Sequence, residues 1–268
     1  MILRRQLLAG LTAALLAASA FVAVPAASAE PIKLGLASPG PLADPIKVAV
    51  EEAKAQGLEV EVIEFTDWIA PNEALQNGDI DVNYYQHVPF LENASAARGY
   101  TFQSLGVGTS SKLGLYSSKH KSFDEIPEGG TVAIANDPVN GGRGLVLLEK
   151  AGLIKLTPGL DYKATVADIT ENPKNLKIVE VVAQQLPRTL ADVDLAQGYA
   201  HFLKDYGLDP DSALLFDPIQ QRFALQWVVK SDSPRIDDVK KFVAIYQSSP
   251  AVREAITTRF GDLIVPAW

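Results

Sequence analysis

Downstream of residue 30 the chain alternates short apolar runs with stretches in which apolar residues recur every three or four positions. "PIKLGLAS" predicts a strand that gives way at Gly40. "ADPIKVAVEEAKAQG" then predicts a helix with Asp44 as N-cap, Pro45 at the first helical position and Gly57 as its stop. Ile46, Ala49, Val50 and Ala53 fall on one face of that helix. "LEVEVIEF" alternates as a strand, "PNEALQNG" predicts a short helix closed at Asn77-Gly78, and "DIDVNYY" predicts the next strand. Strands and helices taken in turn point to a parallel sheet with helices on its faces.

A second series follows. "GGTVAIAND" predicts a strand that delivers into the loop "PVNGGRG", after which "LVLLEKAGL" predicts an apolar helix ending near Gly152. "LKIVEVVA" and "VDLAQGYA" predict further strands, with "PRTLADV" as a short helix between them. "ALQWVVKSD" is strand-like again, and "DDVKKFVAIYQS" places Val239, Phe242, Val243 and Tyr246 on one helical face. Two such units predict two lobes. If the last elements rejoin the first lobe, the chain crosses between lobes twice and a cleft results.

The first 29 residues have the pattern of an export signal: Arg4 and Arg5, an apolar run from Leu7 to Val24, then small residues Ala27, Ser28 and Ala29 before Glu30. Pro25 and the small residues weigh against a permanent membrane span, and the paired arginines leave the general and twin-arginine export routes both open. The chain has no cysteine, so it offers no disulfide, thiol nucleophile or lipid-bearing cysteine. A soluble periplasmic protein is the expectation. With 24 basic against 32 acidic residues the net charge is −8, and loss of Arg4 and Arg5 leaves the remainder more acidic. Such a surface repels nucleic acid and anionic lipid.

In open parallel sheets ligands sit beyond the carboxyl ends of the strands. That rule selects Trp68, the group Tyr85, His87 and Phe90 in "DVNYYQHVPF", and the segment from Asn140 to Arg143. Core packing is the better reading of any one aromatic residue alone. Several at strand ends favour a box for an apolar side chain. Arg143 follows Gly141-Gly142 at an expected helix N-terminus, where a guanidinium and free backbone N–H groups favour a carboxylate; a surface arginine is the bland alternative. No phosphate-loop, nucleophile-elbow or metalloprotease motif occurs, and His87, His120 and His201 lack metal-ligand spacing. Neither catalysis, a metal nor a cofactor is expected. An exported hydrolase on the same lobes is the rival reading.

Several long segments resemble the NlpA/MetQ family of methionine-binding substrate-binding proteins of ABC importers. They are "FTDWIAPNEALQNGDIDVNYYQHVPFLE", "VAIANDPVNGGRGLVLLEKAGLIKL", "DITENPKNLKIVEV", "QLPRTLADVD" and "VKKFVAIYQS" through "IVPAW". The resemblance implies an α/β fold of the two-lobe periplasmic binding protein type (type II-like). Each lobe is a mostly parallel sheet flanked by helices, and the ligand cleft lies between them. The expected division is a signal peptide at 1–29, lobe one at 30–112 plus 224–268, and lobe two at 113–223.

The resemblance also implies roles. Positions matching Trp68, Tyr85, His87 and Phe90 line the pocket for the ligand's side chain; those matching Asn140 and Arg143 hold its backbone groups, with Arg143 on the carboxylate. Trp68 stands where the family more often has tyrosine, and two further stretches depart from its pattern. Tyr199 and His201 stand where an asparagine-containing stretch is usual, and Leu225, with Gln226 beside it, replaces a second asparagine. These four join the expected ligand site. Methionine or a similar amino acid is the implied ligand, a different carboxylate-bearing apolar solute the alternative, and an inner-membrane ABC permease the implied partner. The protein is expected to be a monomer.

Overall fold

The computed structural model describes residues 30–37 and 42–268; the expected leader and the segment 38–41 lie outside the described residues. The first series of elements is β1 (Ile32–Ala37), α1 (Ala43–Ala55), β2 (Val60–Phe65), α2 (Ala70–Asn77), β3 (Val82–His87), α3 (Val88–Arg98) and β4 (Phe102–Val107). After the short β5 (Thr109–Ser111) come β6 (Leu113–Tyr116), β7 (Thr131–Ala135), α4 (Pro138–Lys150), β8 (Lys155–Leu156), β9 (Ile169–Glu171) and β10 (Lys177–Val181). The chain continues through α5 (Leu186–Thr189), β11 (Leu195–Tyr199), α6 (Ala200–Asp205) and β12 (Leu215–Asp217). It closes with β13 (Leu225–Lys230), α7 (Ile236–Ser248), α8 (Pro250–Phe260) and β14 (Ile264–Pro266).

Two five-stranded sheets result, ordered β2-β1-β3-β13-β4 and β10-β7-β11-β6-β12. In sheet one, β1 runs parallel to β2 and β3, whereas β13 is antiparallel to both β3 and β4. Sheet two repeats the arrangement: β7 is parallel to β10 and β11, and β6 is antiparallel to β11 and β12. The parallel pairs are the ones joined through helices, as a crossover connection requires. Because β13 inserts between β3 and β4, the chain leaves sheet one, builds sheet two and returns. The outgoing crossing is braced by β5, which pairs antiparallel with β14.

Each sheet buries both faces. On sheet one, Ile32, Leu34, Val82 and Trp227 pack with Ile46 of α1, Phe242 and Tyr246 of α7 and Ile256 of α8. Leu75, Ile80 and Val228 form the smaller core on its other face. On sheet two, Leu115, Val132 and Ile134 pack with Leu145 and Leu148 of α4, while Tyr116, Ala133 and Ala196 pack with Leu186 and Leu203.

Two local expectations change. Helix α1 starts at Ala43, so Asp44 lies inside the first turn, where its carboxylate faces Lys47 at 3.5 Å instead of capping. Helix α4 starts at Pro138, so the glycine-rich segment expected as a loop is helical. Glycine disfavours helix by roughly 1 kcal/mol against alanine, but here packing decides. A Cβ at Gly141 would sit 2.6 Å from the Ala135 carbonyl oxygen, and one at Gly142 only 2.0 Å from that of Tyr162.

Candidate functional site

Strand β3 is buried along its length, and its side chains divide between two tasks, with a register shift against β13 between Tyr84 and His87 breaking the simple alternation. Tyr84 belongs to the core: it stacks on Trp227 with centroids 4.2 Å apart, and its hydroxyl lies 2.9 Å from Thr109 Oγ1. Asn83 and Gln86 point the other way into an amide cluster with Asn72 of α2. Gln86 Nε2 donates to Asn72 Oδ1 at 2.7 Å, and Asn83 Nδ2 to the same oxygen at 3.0 Å. This cluster fixes α2 against β3, and with it the loop that carries Trp68.

The C-terminal end of β3 runs straight into α3, with Pro89 in the first turn and His87 as N-cap. His87 Nδ1 accepts from the Phe90 N–H at 3.2 Å, so Nε2 carries the proton of the neutral ring and faces Asn140 Oδ1 at 3.2 Å. Burial, assisted by the positive charge of Arg143, lowers the His87 pKa from 6.5 to about 3. Tyr85 donates its hydroxyl to the Trp68 carbonyl oxygen at 3.1 Å, and Asp67 Oδ1 accepts from the Ile69 and Ala70 N–H groups. Trp68 is thereby held edge-on to both Phe90 and Tyr199, 6.4 Å from each.

From sheet two, α4 supplies Asn140 and Arg143. The Asp137 carboxylate caps α4 through the Asn140 N–H at 2.9 Å and also accepts from Asn140 Nδ2 at 3.0 Å. Burial raises the Asp137 pKa, and the bonds from Asn140 oppose that rise. With its nitrogen so occupied, Asn140 presents Oδ1, which accepts from the Tyr199 hydroxyl at 2.8 Å as well as from His87. Arg143 is in the helix body rather than at its N-terminus. Its Nη1 donates to the Tyr199 hydroxyl at 3.0 Å, Nη2 lies 3.5 Å from Asp217 Oδ2, and the guanidinium covers the Phe223 ring at 3.7 Å.

Side chains from both sheets line a cavity of ≈ 50 Å³, room for a few waters or one small solute. Of the ten expected site residues, Trp68, Tyr85, His87, Phe90, Asn140, Tyr199, His201 and Leu225 all line it. Arg143 does not: it faces a separate cavity of ≈ 330 Å³ with Lys150, Asp217 and Arg222, and reaches the inner one through Tyr199 and Phe223, which both line it. Gln226 is also set apart, its amide bonded to Ser104 and to the Ala224 carbonyl oxygen. Gln197 likewise spends both ends on backbone, at Ala135 and Asn140.

Sequence reasoning missed Leu42, Gln86, Phe202 and Phe223 as lining residues. Phe223 lies on the returning crossing, in a 3₁₀ turn that no apolar periodicity announces. His201, only 5 % exposed, lines the cavity with both ring nitrogens unpartnered, and burial lowers its pKa from 6.5 to about 3. Outside the Trp68–Phe90 wall lies a wider cavity of ≈ 410 Å³, lined from both sheets.

Two α/β lobes facing each other across a ring-lined cavity define the class: a two-lobed binding protein. The comparisons agree. A solved ABC-transporter periplasmic substrate-binding protein from Coxiella burnetii superposes with a TM-score of 0.79 at 38% identity, covering 88% of this chain and 99% of the other. A nutrient-binding protein from Burkholderia cenocepacia bound to methionine gives 0.79 and 38%, covering 88% and 100%. The family model described as NlpA lipoprotein matches residues 32–268. The D-methionine-binding lipoprotein MetQ of Escherichia coli K12 is 42% identical over 226 residues, 83% of each chain. The chain belongs to the NlpA lipoprotein family.

That membership corrects the expected location. A soluble periplasmic protein was inferred from the missing cysteine, but the family and its relatives are lipoproteins by name, which places the family on a lipid anchor. The cysteine count stands as a property of the sequence.

Proposed function

We propose that the protein captures one small organic solute between its lobes and presents it to the permease of an ABC importer. The observation that carries this reading is the cavity itself. Trp68, Tyr85, His87, Phe90 and Leu225 come to it from one sheet and its helices, Asn140, Tyr199 and His201 from the other. A ligand held by both sides favours the closed arrangement over any open one, which is how a permease distinguishes loaded protein from empty.

Relatives are named for methionine, and a thioether is well received by aromatic rings, so methionine is the first ligand to test. Arg143 is the cation for a carboxylate and acts through the Tyr199 hydroxyl that lies between it and the cavity. Capture is favoured over hydrolysis by the state of the two histidines. His87 has both ring nitrogens committed and His201 has neither bonded, so neither is set as a base against a hydroxyl.

A melting-temperature panel of amino acids and related acids, followed by calorimetry, tests the reading. A true ligand at 100 times its Kd stabilises by about 2.7 kcal/mol and is recovered unchanged. Product appearing from an ester or amide, or a flat panel, would sink it.

A further inference from the structure

Most polar side chains on the wall of the inner cavity are already engaged with other protein groups. The amide of Gln86 belongs to the Asn72 cluster, Asn140 is bonded through both its nitrogen and its oxygen, and His87 has a partner at each ring nitrogen. Tyr199 gives its one hydroxyl proton to Asn140 and accepts from Arg143. Two groups remain. His201, only 5 % exposed, has no partner at either ring nitrogen, and the half-buried hydroxyl of Ser111 bonds to no other described residue.

The strand register brings these two residues together. β11 and β6 pair antiparallel with Gly198 opposite Gly114 and Tyr199 opposite Leu113, and the Ala200 N–H extends the ladder by donating to the Lys112 carbonyl oxygen at 3.1 Å. One residue further along each chain stand His201 and Ser111. Ser111 is fixed on the outgoing crossing by its pairing with Ile264 of β14, His201 lies in the first turn of α6, and both line the same cavity. A buried side chain with its polar atoms unbonded is rare enough to call for an explanation. A bound polar group supplies one.

We propose that Ser111 and His201 form the corner of the cavity that directly contacts the ligand's polar end, and that this end is a zwitterionic amino-acid head group. The proposal rests on the reading of the cleft as a solute site and names the residues that hold the head group. A neutral imidazole has one donor and one acceptor nitrogen, and a hydroxyl adds one proton and two lone pairs. The corner therefore offers both kinds of partner and carries no charge of its own. A carboxylate uses its donors and an ammonium its acceptors, so a head group containing both is served on both sides. Arg143 complements this from behind Tyr199, whose proton is already committed to Asn140.

The test is titration calorimetry on the full chain with L- and D-methionine and with norvaline of the better-bound hand, which shares the head group and has a shorter side chain. Ser111→Ala and His201→Leu are each expected to weaken methionine by about tenfold or more, the size of one lost hydrogen bond to a charged group. The factor should be the same for norvaline. Methionine affinity unchanged in either variant overturns the proposal, and so does a factor that follows side-chain length, which would put the pair at the apolar end of the ligand.

Melting temperatures of the ligand-free variants supply a second readout. Ser111→Ala is expected to leave that of the parent unchanged and His201→Leu to raise it, so that affinity is lost without stability; a merely structural role would lower both together and would overturn the assignment. If neither methionine nor norvaline binds the parent but other solutes in the wider panel do, the head-group proposal falls and solute capture stands. If nothing in the panel binds, both fall.

Discussion

His87 Nε2 lies 3.2 Å from Asn140 Oδ1, joining the end of β3 in one sheet to the start of α4 in the other. Every member of the relay around it has a fixed role. Phe90 N–H fills Nδ1, which leaves the proton on Nε2; Asp137 takes the Asn140 nitrogen, which leaves its oxygen to accept. Tyr199 donates to the same oxygen while accepting from Arg143. The two lobes therefore meet through neutral groups with a single consistent direction of donation.

That arrangement makes stability depend on pH. His87 and His201 both have folded pKa values lowered from 6.5 to about 3 by burial, so the unfolded chain takes up protons before the folded one. Their contribution is complete above pH 6.5 and is lost as the pH falls toward 3. Each histidine gives a slope of about 1.4 kcal/mol per pH unit across that window. Urea titrations at pH 7 and pH 5 should show the decline, and His201→Leu should flatten it. A stability independent of pH in this range would contradict the buried neutral state of both rings.

In the absence of ligand, His201→Leu should stabilise the fold. It replaces two unbonded buried nitrogens with a side chain of similar volume, a gain of about 1 kcal/mol or more. Scanning calorimetry on the purified variant reads this directly; a lower melting temperature would mean that the imidazole has a packing role the geometry does not reveal.

Asn72→Ala should be among the most damaging changes away from the cavity. It removes the donor to Gln86 Oε1 and one of two acceptors from both Gln86 Nε2 and Asn83 Nδ2, all of them buried, and a buried amide oxygen left without its donor costs about 1–3 kcal/mol. Denaturant midpoints measure the loss. Because the same helix follows the Trp68 loop, ligand affinity is expected to fall with it.

Arg143→Ala should reduce stability as well as binding. Asp217, itself only 6 % exposed, would keep the half-exposed Lys150 at 3.0 Å and the Gln220 amide, so the loss should fall below the about 3–5 kcal/mol of an uncompensated buried charge. A melt of the free variant that matches the parent would show that Lys150 suffices. Affinity for a carboxylate probe, taken at a temperature where the variant is folded, isolates the binding role.

Trp68→Ala should open the inner cavity to the outer one, since Trp68 and Phe90 line both. Larger apolar ligands should lose more affinity than small ones, and dissociation should quicken. Equal losses for glycine and methionine analogues would remove Trp68 from the wall.

Much of the framework is readable from local chemistry. The strands at Ile32, Val60, Val82 and Thr131 show themselves by alternation or compact apolar runs, and Val239, Phe242, Val243 and Tyr246 lie buried on one face of α7 as their spacing predicts. What escaped was decided at a distance. His87 caps α3, a role for which Ser, Thr, Asp or Asn is the usual sign. Phe223 and Leu42 reach the cavity from a crossing and a helix entry, whose lining role depends on how the lobes meet. Arg143, expected at a helix N-terminus, lies in the body of α4 because the glycine segment is helical, and its guanidinium packs on Phe223 and toward Asp217.

The glycine pair in α4 sets a distance rather than a flexibility. With no carbon between this helix and the backbone at Ala135 and Tyr162, α4 rides at its lowest possible height over its own lobe, and Asn140 is delivered to the opposite lobe from there. A methyl group at either glycine would act as a shim, lifting or tilting the helix until the carbonyl oxygens of Ala135 or Tyr162 are cleared. The handshake with His87 has no longer side chain in reserve to follow, so a change invisible from the cavity would mis-set the gap that the cargo has to fill.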